Sequence, residues 1–113
     1  MATMEQVQRG FMRFVDTQVA GAFEGWQKVV VSGCAGLVAS NLPKIVKTYA
    51  GHPMVAMLGV YDAESGFIDI DTLYNAFVPK MGDEKIPISI PKLGTIKLGR
   101  QELDCLRRYI MEA

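Results

Sequence analysis

Two cysteines, one histidine and one tryptophan among 113 residues leave little material for chemistry that depends on those side chains. Cys34 and Cys105 stand far apart, neither has a CxxC partner, and His52 has no second histidine with which to share a metal. The local clustering that zinc and redox sites need is therefore missing, and no metal or cofactor is expected. Both thiols read as free packing groups in a reducing compartment. An excess of charge is missing too, because twelve basic and twelve acidic residues cancel. A polyanion is held by several Lys and Arg displacing its counterions, so nucleic acid is not an expected partner. The N-terminal MATMEQVQRG places charge and amides where a signal peptide needs an apolar core, and export by that route is not expected.

Hydrophobic residues make up 50% of the chain, enough for one real core without staples, so residues 1–113 read as a single domain. The longest uncharged run is VVVSGCAGLVASNL, fourteen residues from Val29 to Leu42, bracketed by Lys28 and Lys44. A helix of that length covers about 21 Å of a roughly 30 Å hydrocarbon core. It is too short to span, and insertion of a helix over 26–42 stands as an alternative reading only. Ser32, Gly33, Ala35, Gly36, Ala39 and Ser40 make this run rich in small residues, and each glycine costs about 1 kcal/mol of helix propensity relative to Ala. Close packing against the first helix or against a second copy is the compensation that physics offers.

Residues 1–57 read as mainly helical. Thr3 with Gln6 has the form of a capping box, and Met4, Val7, Phe11, Phe14, Val15 and Val19 recur at helical spacing to about Ala20. Gly21 and Gly25 break the pattern, with Phe23 and Trp26 expected to tuck into the turn. A second helix is expected from Trp26 to about Asn41, with Pro43 marking a kink or a new start and Gly51 a stop. His52-Pro53 opens one more short turn. Residues 58–113 change character. GVYDAESGFIDID reads as a hairpin turning at Asp62 to Gly66, followed by a helix capped by Asp71 and ended by Val78-Pro79. Ile86, Ile88 and Ile90, then Ile96 and Leu98, alternate around Pro91 to Gly94 as an edge hairpin. A last helix follows with Gly99 at its N-cap and Leu103, Leu106, Tyr109 and Ile110 on one face. The expected class is α+β: an N-terminal helical hairpin packed with small antiparallel hairpins and two short helices, with hairpin-helix duplication as one reading of the second half.

Candidate sites are few. Asp62, Glu64, Asp69 and Asp71 form the densest acidic group, but Gly66 is fifth where a calcium loop wants sixth and no Glu stands at the twelfth position. Turn chemistry and a helix cap account for them. Ser32 to Gly36, SGCAG, would be a ligand-binding or catalytic turn only if Val29 to Val31 were a strand leading into it; the P-loop lysine and the G-x-S-x-G elbow are absent. His52 has only Tyr49 nearby as a partner for general base work. Arg107 and Arg108, interleaved with Asp104 and Glu112, read as a solvated helix face.

Three blocks, FMRFVDTQVAGAFEGWQKVVVSGCAG, LGVYDAESGFIDIDTLYNAF and IPKLGTIKLGRQELDCLRRYI, together resemble a group of small uncharacterised proteins encoded by phages and prophages of Gram-positive, largely gut-dwelling bacteria. The marks of the resemblance are the Phe11-Met12-Arg13-Phe14 start, Gly25-Trp26-Gln27-Lys28, Leu58-Gly59-Val60 and Arg108-Tyr109-Ile110. It implies no activity for particular residues. The expectation is a non-enzymatic structural or interaction protein, in the host cytoplasm or associated with the virion, whose partners are itself or other phage proteins. Phe11, Phe14, Trp26, Gly33 and Gly36 are the expected contact residues.

Overall fold

The computed structural model describes residues 2–113, with the backbone alone described at 54 and 55. Its elements run α1 (Met4–Phe14), α2 (Trp26–Ala50), α3 (Pro53–Ala56), α4 (Ile70–Phe77), β1 (Ile86–Ile90), β2 (Gly94–Leu98) and α5 (Arg100–Glu112). The class is α+β, helices around one two-stranded antiparallel sheet.

α1 begins as its sequence directs, with the Thr3 hydroxyl accepting from the Gln6 N–H at 3.1 Å. The returning half of the capping box is put to another use. Gln6 Nε2 donates to the Ile110 carbonyl at 2.9 Å, one of the last carbonyls of α5, and so ties the two helices together. The coil continues past Phe14 through a π-helical stretch, Val15–Val19, in which the Ala20 N–H reaches back to the Val15 carbonyl, and closes in a 3₁₀ turn, Ala20–Ala22. Before the wide turn, Val7 joins a cluster with Ala2, Ile68 and Ile110. Beyond Phe14, Val15 and Ala20 join another with Val31, Ala35 and Ile90.

α1 lies more extensively on α5 than on α2. Gly10 is what permits this: a β-carbon there would fall 2.7 Å from the Ile110 nitrogen and closer still to its Cα. The tight backbone approach expected of the second helix is thus made by the first.

α2 is a single helix of 25 residues, and the expected break at Pro43 does not occur. Proline lacks the N–H that would bond to the carbonyl four residues back, leaving the Ala39 carbonyl without its helical donor. Gln8 Nε2 from α1 supplies one at 2.9 Å. The helix therefore passes through Pro43 and stops at Gly51, as the glycine predicts.

In the second half, the hairpin expected around Asp62 to Gly66 is reduced to single bridges. Ile68 pairs with Tyr61 on one side and with Ala2 on the other. The turn holds through Asp62, whose carboxylate accepts from the Glu64 N–H and the Ser65 hydroxyl. The cap of α4 is Asp69 and not Asp71: its carboxylate accepts from the Thr72 N–H at 3.1 Å and the Thr72 hydroxyl at 2.7 Å. α4 passes into a 3₁₀ turn at Val78–Lys80, where Pro79 sits. β1 and β2 pair as expected, from Ile86 with Leu98 to Ile90 with Gly94. Lys92 and Gly94 take positive φ at the tip. The Gly99 N–H donates to Glu102 at 2.9 Å, opening α5.

The core is thin. Among the described residues no large side chain falls below 2% exposed. The radius of gyration, 14.4 Å, exceeds the roughly 13 Å of a compact chain of this length, and the longest dimension is 42 Å.

Candidate interaction surface

The five residues expected to form a contact surface divide into two groups. Phe14 is buried at 3% exposure, and its ring meets Tyr109 edge to face at 6.3 Å. Phe11 is half-buried and packs against the same cluster. Both belong to the interior, because the α1 face that carries them is covered by α2, α5 and the hairpin. Trp26, Gly33 and Gly36 lie on α2 and face outward or to its flank. Trp26 is 60% exposed and does not tuck into the turn, which Phe23 alone does. A β-carbon placed at Gly33 or Gly36 would meet nothing within 4 Å.

At 100° per residue, Trp26, Val29, Gly33 and Leu37 fall on one side of α2, opposite the buried Val31, Ala35 and Ala39. Val29 is 73% and Leu37 68% exposed. The helix is apolar on both sides, whereas a surface helix of a lone globular domain carries polar residues on its outer side. Its two glycines are not compensated by any contact within the chain.

The structure does not bring the sequence candidates for chemistry together. Ser32–Gly36 lies within α2, so the strand-turn-helix context that a phosphate loop or nucleophile elbow requires is absent. Cys34 is half-buried and lines a small apolar cleft with Phe11 and Ile88, and Cys105 packs against the core. His52 is exposed beside α3, its backbone N–H donating to the Tyr49 carbonyl and its carbonyl accepting from the Ala56 N–H. No group of three or more His, Cys, Asp or Glu placed to hold a metal ion exists among the described residues.

No family model, curated protein or solved structure matches the chain.

The main electrostatic feature is one that sequence reasoning missed. Arg107 is not a solvated side chain: it bridges Asp71 at 2.8 Å and Asp104 at 3.0 Å, and its guanidinium stands 4.6 Å above the Tyr74 ring. Hydrogen bonds to Asp71 and Asp104 hold the Arg107 pKa above its usual value, and the bond from Arg107 holds the Asp104 carboxyl below its own. The cluster clamps α4 to α5. A cleft of about 610 Å³ beside it is lined by Tyr74, Lys85, Arg100, Glu102 and Asp104 among others. Within it, Glu102 is engaged in capping α5 and Asp104 in the clamp. Arg108, 64% exposed, is the solvated residue of the pair.

Proposed function

We propose that the protein is a non-enzymatic structural or interaction protein of phage or prophage origin that self-associates through α2. The observation that carries this reading is the exposed apolar side of α2, with Trp26, Val29 and Leu37 each at least 60% exposed and two glycines open to an approaching backbone. The resemblance of its three sequence blocks to phage-encoded proteins supports the origin, and with it a place in the host cytoplasm or on the virion. Sedimentation velocity across a hundredfold range of protein concentration tests the association. A concentration-dependent rise in mass is expected, and a monomer throughout would sink the proposal.

A second reading has its own observation. Because α2 passes through Pro43, its length is about 38 Å rather than the 21 Å of the uncharged run, enough to cross a hydrocarbon core of about 30 Å. Among the described residues α2 is the one helix long and apolar enough to cross a bilayer, and 17% of its most apolar window is buried within the protein. Against a span stand Lys28, Asn41, Lys44 and Lys47. Retention of the intact protein in membranes after a carbonate wash would favour insertion over self-association in solution.

A further inference from the structure

We infer that the hollow between the last turns of α2 and α4 binds an uncharged, hydrocarbon-like small molecule. It lies on the opposite side of α2 from Val29 and Leu37 and is independent of the self-association proposed above.

Side chains from four helices meet there. Ile45 and Tyr49 of α2 and Leu73 and Phe77 of α4 line the hollow, with the buried Val7 of α1 and Ile110 of α5 among its deepest residues. Its volume of about 420 Å³ lies within the roughly 300–1,000 Å³ of small-molecule sites, and a hollow walled by four helices is not filled by a flat partner surface.

The chemistry of the lining selects the ligand. Among the described residues, Tyr49 and Tyr61 are its only polar side chains, and none is charged. Lys44 and Lys47 fall roughly 170° and 130° round α2 from the lining side, and Asp71 on α4 is held by Arg107. A bound water needs about two to four polar partners, which two phenol hydroxyls supply to few positions. Water in the hollow is therefore poorly held, and an apolar molecule that displaces it gains affinity. A charged molecule would lose its hydration and meet no counter-charge.

The hollow is pre-formed, because its two walls are held by contacts outside it. Arg107 clamps α4 to α5 through Asp71 at 2.8 Å and stands over the Tyr74 ring, while Gln8 ties α2 to α1 at the Ala39 carbonyl. α4 accordingly packs on α5 rather than on α2, and the chain does not fill the gap itself. A site already open loses no binding energy to rearrangement.

The test titrates the full chain with N-phenylnaphthylamine, an uncharged probe that fluoresces in apolar surroundings, and competes it with decanol. One saturable site per chain is expected, and decanol is expected to empty it. Leu73→Trp, which fills the hollow, is expected to weaken the probe about tenfold while circular dichroism is unchanged and the urea midpoint is not lowered. Val46→Phe fills the other wall and repeats the test should Leu73→Trp fail to fold. Leu37→Ser, on the far side of α2, is expected to leave binding as it was. Absent or non-saturable binding overturns the inference. So does a site that Leu37→Ser removes and Leu73→Trp leaves, which places the probe on the outward side of α2. A dimer that Leu73→Trp abolishes gives the hollow to a second copy and overturns the inference as well. Self-association through the outward side stands or falls separately, by sedimentation of Leu37→Ser.

Discussion

At the scale of single residues, three glycines that look alike in the sequence have different work. Gly10 is buried against the Ile110 backbone, while Gly33 and Gly36 face open space. A methyl group at Gly10 has to push α1 off α5, and overpacking of that kind costs about 1–3 kcal/mol. A methyl at Gly33 touches nothing and removes a helix penalty of about 1 kcal/mol. Urea unfolding of dilute protein is therefore expected to show Gly10→Ala destabilised and Gly33→Ala stabilised, and equal effects of the two would contradict the packing. The carboxylates give a second expectation. The Ser65 hydroxyl and the Glu64 N–H hold the Asp62 carboxyl below its usual pKa, Thr72 does the same for Asp69, and Arg107 for Asp104. A carboxyl with a depressed folded pKa contributes stability that is present above its unfolded value and lost as the pH falls through the folded one. The urea midpoint should accordingly hold from neutrality down to about pH 5 and drop below about pH 4. Asp69→Asn should make that drop shallower.

At the scale of elements, α2 depends on a side chain from α1. Gln8 donates to the carbonyl that Pro43 leaves without its helical donor. Leaving a buried carbonyl unpaired costs about 1–3 kcal/mol, so Gln8→Leu should destabilise the protein by about that amount. In a Pro43→Ala background the same change should cost little, because the backbone then supplies the donor; a double-mutant cycle in urea reads the difference. This pair also shows where sequence reading stopped. Proline at 43 predicts a break by local sterics, and only a donor 35 positions away overrides it. The same limit explains Asp69 displacing Asp71 as a cap: Asp71 is drawn to Arg107, a partner 36 residues on. What was legible was local and periodic. The alternation of Ile86, Ile88 and Ile90 against Ile96 and Leu98 yields the ladder as paired, and the three- and four-residue spacing from Met4 onward marks Val7, Phe14 and Val15 for burial. Of the expected contact surface, Trp26, Gly33 and Gly36 lie open, whereas Phe11 and Phe14 carried the same apolar signal as any core residue and went inside.

At the scale of the whole molecule, a thin core and a long exposed apolar helix belong together. With no large side chain fully buried among the described residues, an added apolar contact is a large fraction of the marginal stability of a small domain. Stability is thus expected to rise with protein concentration, and the thermal midpoint of concentrated samples should exceed that of dilute ones. An unchanged midpoint would argue that association and folding are uncoupled. The wide turn at Val15–Val19 acts at this scale as well. It takes up one residue more per hydrogen-bonded ring than the coil on either side, so the helix before it and the turns after it are phased separately: Val7 faces Ile68 and Ile110, whereas Val15 and Ala20 face Val31, Ala35 and Ile90. Deleting one residue within this stretch is therefore expected to be absorbed by relaxation to ordinary α geometry, leaving both halves facing the partners they have now, and circular dichroism with the urea midpoint checks it.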